Sequence, residues 1–280
     1  MLNWLLHIIM VLMVIYCLVP LLWVIFSSTK TSEGIFSSFG LWFDDKNVFW
    51  QNVQDTFAYQ NGAYTRWLFN TIMYAAVAGV GATIIATFAG YAIATMRFPG
   101  RNALLAVTLA FMSIPSTVIT VPLFLMYSKI GLVGTPWAVI IPQLATPFGL
   151  YLMIIYAQTS IPVSLIEAAK LDGASTWTIF WKVGFPLLSP GFVTVLLFTL
   201  VGVWNNYFLP LIMLSDTNDY PLTVGLNMWL KMGAQGTANG QVPNNLIITG
   251  SLIAVVPLII AFMFLQKYWQ SGLAAGSVKQ

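Results

Sequence analysis

Ionisable side chains are scarce in this chain, and four of them fall close together. Glu167, Lys170, Asp172 and Lys182 lie within Ser160–Gly191, a stretch flanked by long apolar runs. Ser164 followed three residues later by Glu167 has the spacing of a capping box, in which each side chain can bond the other's backbone N–H. Pro162 stands just upstream, where it cannot interrupt a helix. Leu165, Ile166, Ala168, Ala169 and Leu171 would give that helix one apolar side, and Asp172-Gly173 would close it, because glycine takes the left-handed conformation. A second short helix is expected from about Ser175 to Val183. Pro186 and then Ser189-Pro190-Gly191 would mark its end and the next start. The residues describe a helix–glycine–helix element polar enough for water. On these residues alone it is an ordinary capped loop between two apolar stretches.

A second group is uncharged. Trp204-Asn205-Asn206-Tyr207 falls near the middle of an apolar run, where amides need partners or water. Asn205 and Asn206 could face water or a hydroxylated solute, with Trp204 and Tyr207 as stacking surfaces. Helix–helix hydrogen bonding is the other reading. Reaction chemistry finds little support. There is no G-x-x-x-x-G-K-[ST], hence no nucleotide loop of that type. His7 is the single histidine and Cys17 the single cysteine. Neither zinc spacing nor a nucleophile–base–carboxylate set can be assembled from them. No catalytic, cofactor-binding or metal residue is expected.

The elements that must position these groups follow from composition. Of 280 residues, 59% are hydrophobic and only 7% charged, against about 25% charged in soluble domains. The class is a polytopic all-α membrane protein. The net charge of +3 does not argue for nucleic acid. A span needs roughly 20 mostly apolar residues. Six stretches qualify, from about Leu5 to Phe26, Trp67 to Thr95, Ala103 to Tyr127, Trp137 to Ala157, Phe192 to Leu214 and Leu246 to Leu265. They imply a first helix with an outer loop over 1–66, a core over 67–265 holding the polar element 160–191, and a tail over 266–280. The N-terminal run is too long for a signal-peptide core and reads as a retained span.

Six spans place both termini on one side. Lys and Arg divide six to five between the two sides, with shorter loops on the side of the termini. That favours cytoplasmic termini. The segment Ser27–Arg66 mixes Glu33, Asp44, Asp45 and Asp55 with Trp42, Phe43, Phe49 and Trp50. It reads either as an ordered outer loop with interfacial helices or as a solvated linker. In the second span Ala78, Ala82, Ala86, Gly90 and Ala94 recur every four residues, a spacing that lets helices approach closely. Pro115, Pro122, Pro142 and Pro147 should kink the third and fourth spans. Such kinks either border a translocation path or are purely structural.

Glu167-Ala168-Ala169, Gly173, Val183 and Phe185-Pro186 together resemble the EAA loop of bacterial ABC-importer permeases, E-A-A, three residues, G, nine residues, I-x-L-P. Val stands here for Ile and Phe for Leu. Arg97-Phe98-Pro99-Gly100-Arg101 is similar to the turn after the matching span in sugar-importer permeases. Gly131-Leu132-Val133-Gly134-Thr135 is similar to their G-L-x-N-T, with Gly134 for Asn. The ending from Gln266 to Lys279 resembles that of maltose-type permease subunits of the G kind. The resemblance runs from about Phe69 to Lys279. It implies a type I ABC-importer permease fold of six spans in a bacterial cytoplasmic membrane. It also implies a second permease, a cytoplasmic ATPase dimer carrying ATP and Mg, and an outer sugar-binding protein. Glu167, Ala168, Ala169, Asp172, Gly173 and Pro186 would then couple to the ATPase, and Gln270, Gly272, Gly276 and Lys279 would reach its dimer interface. No cofactor is expected on this chain. The alternative is a carrier of a small polar solute working without an ATPase. No Asp, Glu, Lys or Arg lies inside the six stretches, which removes the usual mark of a proton path.

Overall fold

A computed structural model describes residues 2–235 and 242–277, with side chains placed for 4–234 and 242–267. All regular structure among the described residues is helical. In chain order the α-helices are α1 (Leu2–Ser28), α2 (Gly34–Ser37), α3 (Phe49–Tyr74), α4 (Val80–Thr95), α5 (Arg101–Met112), α6 (Ser116–Lys129), α7 (Pro136–Leu144), α8 (Pro147–Ser160), α9 (Val163–Leu171), α10 (Thr176–Ile179), α11 (Phe185–Trp204), α12 (Phe208–Met213), α13 (Leu222–Gln235) and α14 (Asn244–Ser277). Single π turns join α3 to α4 at Ala75–Gly79 and α10 to α11 at Phe180–Gly184. Among the described residues, five helical stretches are long and apolar enough to cross a membrane, or six if the bent pair α5–α6 is one crossing.

Three of the six expected spans differ from straight rods through the expected stretch, the fourth because α7 and α8 are parted at Ala145-Thr146. The third is two helices meeting at 103° across Ser113-Ile114-Pro115, because Pro115 cannot donate to the preceding turn. The fifth does not begin near Phe192. Its helix runs unbroken from Thr176 to Trp204, and Pro186 and Pro190 do not end it. The π turn explains Pro186. The Phe185 N–H reaches back to Phe180 O, so the ladder changes register just before Pro186. That residue then sits in the first turn of the new register, where no donor is required.

The chain divides into two compact units. Residues 1–69 and 221–257 form the first. The segment after α1 carries a short helix and the start of α3, as the ordered reading of Ser27–Arg66 expects. Lys30 is fully buried, and its ammonium donates to Ser38 Oγ at 2.8 Å and Phe39 O at 2.7 Å. Asn52 donates to the carbonyls of Ser28 and Lys30 and accepts from Asn245. Tyr64, Trp67 and Trp229 pack ring on ring, and Trp229 Nε1 donates to Gln60 Oε1 at 2.9 Å. Gln60, Asn61 and Gly62 take one left-handed turn inside α3.

Residues 70–220 with 258–280 form the second unit. Its core is where α4, α8 and α11 meet. The small-residue row of α4 does the packing its spacing implies: Ala78, Ala82 and Ala86 are buried. A Cβ added at Gly90 would fall 2.6 Å from Met153 Cβ and 3.2 Å from Ile154 N. Only glycine lets the α8 backbone come that near. Thr83 and Thr199 share a hydroxyl hydrogen bond of 2.9 Å between α4 and α11. Met153, Leu188 and Val195 are buried in one core cluster with Ala86 and Tyr91.

Candidate functional site

The polar element forms a helical knob on the second unit. α9 starts at Val163 with Pro162 at its N-cap, and no side chain caps it. The capping box between Ser164 and Glu167 is therefore not formed. Pro162 already occupies the cap position in extended conformation, which places Ser164 inside the helix. The C-terminus behaves as expected. Gly173 has φ +76°, its N–H donates to Lys170 O, and the Ala174 N–H donates to Ala169 O, both at 3.0 Å. This pair of bonds is a Schellman closure, which needs a left-handed residue at that point. Ser175 then caps α10 by accepting from the Thr178 N–H at 3.1 Å.

One residue of α9 anchors the knob. Ile166 is buried with Ile179 and Phe180 against Tyr91, Ala157 and Ile161. The apolar side expected of α9 is not one buried face. Leu165 is half exposed and Leu171 is 89% exposed. Glu167, Ala168, Lys170, Asp172 and Gly173 are also exposed, Ala169 is half-buried and Pro186 is exposed. The outward surface thus carries two carboxylates, Glu167 and Asp172, with Lys170 and small residues around the exposed Leu171, above the buried Ile166, Ile179 and Phe180. Trp177 stacks on Phe88 at 5.7 Å and 5°, and Trp181 meets Phe180 and Phe185 edge-on or tilted.

The second group lies at the other end of α11. Asn205 and Asn206 do not sit within a helix. They occupy a break between α11 and α12. Asn205 is exposed and its amide donates back to Val201 O at 2.9 Å. Asn206 donates to Gln143 Oε1 at 3.0 Å. Tyr207 is half-buried. Trp204 is 8% exposed, so its ring packs inside the unit and does not offer the stacking surface expected of it. Two other breaks meet this one. Met112 and Ile114 flank the α5–α6 bend, and Ala145 and Pro147 flank the gap between α7 and α8. All four line a cavity of about 670 Å³ together with Asn206 and Phe208. Pro115 and Pro147 thus stand at helix breaks, and Pro147 lines this cavity, while Pro122 and Pro142 lie inside α6 and α7.

The knob and the breaks are joined by one helix, Thr176 to Trp204. Two residues of this arrangement were not read from the sequence as part of a functional surface. Gln143 carries no charge, so a search for ionisable groups in spans passes over it. An amide directly after Pro142, inside an apolar run, was the available clue. Leu171 was assigned to a buried side because spacing alone does not say which of two adjacent helical rows faces inward. Of the tail residues, Lys279 lies outside the described residues. Gln270, Gly272 and Gly276 lie where the α14 backbone is described but side chains are not.

Comparison with known proteins agrees with this architecture. Residues 82–274 match the family model of the binding-protein-dependent transport system inner membrane component. The arabinooligosaccharides transport system permease protein AraQ of Halalkalibacterium halodurans is 31% identical over 99% of this chain and 97% of its own. The osmoprotective compounds uptake permease protein GgtD of Synechocystis is 32% identical over 91% and 85%. The diacetylchitobiose uptake permease NgcG of Streptomyces coelicolor is 27% identical over 98% and 86%. A chain from the crystal structure of a bacterial ABC transporter that imports the acidic polysaccharide alginate superposes with a TM-score of 0.83, at 22% identity and over 95% and 96% of the two chains. That likeness shows the fold of an ABC-importer permease. With its family model, its relatives and its fold in agreement, the chain belongs to the inner membrane components of binding-protein-dependent transport systems, and is a multi-pass transport subunit rather than an enzyme.

Proposed function

We propose that this chain is the membrane-spanning permease subunit of an ATP-driven sugar or oligosaccharide importer, that it forms half of the translocation path, and that it couples to a cytoplasmic ATPase through the knob 160–191. The observation that carries the reading is the unbroken helix from Thr176 to Trp204, with the exposed knob at one end and the amide-bearing break at the other. Membership of the family implies an ATPase and a substrate-binding protein as partners. In our reading the ATPase is a dimer that holds ATP and Mg, and a second permease supplies the other half of the path. Both termini and the knob face the cytoplasm, and Gln270, Gly272, Gly276 and Lys279 reach the ATPase dimer. The relatives that carry arabinooligosaccharides and diacetylchitobiose support a carbohydrate cargo.

Glu167, Ala168, Ala169, Asp172 and Gly173 present the docking face. Closure of the ATPases on nucleotide binding draws the knobs of the two permeases together, and the path opens outward to receive solute. Nucleotide and loaded binding protein each favour one of two states by differential affinity. The test is copurification of an ATPase with the tagged chain, followed by saccharide-stimulated ATP hydrolysis in reconstituted vesicles. Ion-gradient-driven uptake by the chain alone, with no ATPase retained, would replace this reading with the solitary carrier.

A further inference from the structure

The cavity at the three helix breaks has an uncharged, partly polar lining. In hydrocarbon, non-helical backbone is tolerated only where protein buries it or water reaches it. The α5–α6 bend falls between helices of 12 and 14 residues, and the α7–α8 gap between helices of 9 and 14. Both breaks are therefore in the interior of their spans, and the cavity they line is the place where water can meet them. Its volume of about 670 Å³ is within the range of small-molecule sites.

The lining divides into two kinds of surface. Ser116, Thr117, Thr120, Gln143 and Asn206 are polar and uncharged, while Phe111, Phe148 and Phe208 offer ring faces. No Asp, Glu, Lys, Arg or His lines it. Gln143 is the residue whose chemistry is best fixed. Its Oε1 accepts from Asn206 at 3.0 Å and its Nε2 donates to Val139 O at 2.9 Å. These two bonds set which end of the amide is which. By inventory they leave one N–H and one lone pair on the same group, and a pair of adjacent hydroxyls offers the matching acceptor and donor. Gln143, Ala145, Pro147 and Phe148 also line a second cavity of about 240 Å³ on the side of Phe198 and Thr199. Phe148 and Phe198 meet edge to face at 5.5 Å there. Gln143 and Phe148 thus form the wall common to two adjoining spaces.

We infer that this chain contacts the solute itself, through a site where Gln143, oriented by Asn206, reads a pair of hydroxyls and Phe148 supports the ring, and that the site takes neutral glycosyl units and disfavours acidic ones. A carboxylate entering this lining would exchange its hydration for neutral groups with no cation to meet it. The inference rests on the transport reading above and names the cargo class within it.

The experiment uses the assembled importer, with its ATPase, partner permease and binding protein, in vesicles. Uptake of radiolabelled arabinotriose, raffinose and trigalacturonate is measured for the wild type, Gln143→Leu, Gln143→Lys and Thr117→Val. Copurified ATPase confirms that each variant is assembled. The wild type should carry at least one neutral trisaccharide and trigalacturonate at least tenfold more slowly. Gln143→Leu should cut neutral uptake at least tenfold and Thr117→Val by two- to fivefold, both in fully assembled complexes. Gln143→Lys should narrow or reverse the preference against trigalacturonate. Equal uptake of neutral and acidic probes by the wild type would overturn the cargo class. Unchanged neutral uptake in assembled Gln143→Leu would overturn the site while leaving the transport reading intact. Failure of the wild-type chain to retain an ATPase would instead remove the reading on which the site rests.

Discussion

Gly173 gives the sharpest test of the knob. Its φ of +76° closes α9 through two backbone bonds, Gly173 N–H to Lys170 O and Ala174 N–H to Ala169 O. A Cβ built there meets nothing within 4 Å, so a small side chain causes no clash within the chain. The whole intramolecular cost of Gly173→Ala is then the left-handed backbone, about 1–2 kcal/mol for an L-residue. If the closed turn is what the ATPase recognises, that energy lowers the population of the docking conformation by roughly 5–30-fold. Asparagine visits the left-handed region far more readily than alanine, so Gly173→Asn should recover most of the loss despite its larger side chain. The assay is the ATPase concentration that gives half-maximal saccharide-stimulated hydrolysis in vesicles. Alanine should raise it by that factor and asparagine by much less. If alanine matches the wild type, the closed turn is not what couples. If asparagine is as damaging as alanine, the position acts through direct contact and the conformational argument fails.

Leu171→Ala should weaken ATPase retention tenfold or more, because burying a leucine on docking contributes about 1.5–3 kcal/mol; equal retention would show that this side chain stays in solvent. Glu167→Gln should leave folding unchanged, since Glu167 caps nothing here. It should weaken coupling only a few-fold, in line with about 0.2–1 kcal/mol for an exposed ion pair, and a loss that persists at high salt would refute a charge role. Gly90→Val should destabilise the α4–α8 contact by about 1–3 kcal/mol through overpacking; thermal unfolding in detergent reads this, and an unchanged midpoint would contradict the 2.6 Å approach to Met153. In a Cys17→Ala background, an impermeant thiol reagent added to intact cells should label a cysteine at Asp216 and spare one at Lys170. The opposite pattern would invert the proposed topology.

How far the sequence carried is best seen at individual residues. The position of the knob was legible because Glu167-Ala168-Ala169, Gly173 and Pro186 keep fixed spacing, and the closing glycine was legible because only one backbone region suits it. The start of α9 was not. Pro162 and Ser164 both qualify as start signals, and local pattern does not rank them. The length of α11 was misread for a related reason. Pro186 and Pro190 ordinarily punctuate a helix, and the π turn that accommodates Pro186 lies where Phe180 and Gly184 pack against Tyr91, a contact remote in sequence. The amide pair shows the same limit. Asn206 stood out in an apolar run, but its partner Gln143 lies 63 residues earlier, and only the fold brings the two breaks together.

The helix from Thr176 to Trp204 has a mechanical consequence. At 29 residues it is a rod of about 43 Å. Pivoting at the knob through about 5° would swing the Trp204 end by about 4 Å, more than the 1–2 Å helix shifts common at subunit interfaces. That is of the order of a hydrogen-bonding distance, enough to carry Asn206 out of reach of Gln143 and to alter the mouth of the cavity. The π turn sits close to the pivot, where bending consumes least of the stroke, and the longer arm from Phe185 onward is regular α-helix. On the proposed coupling, stiffness along Val193–Val203 becomes a working property of the transporter. A glycine pair introduced on the outer side of that arm would touch neither the docking face nor the solute, yet would shorten the stroke delivered to the path.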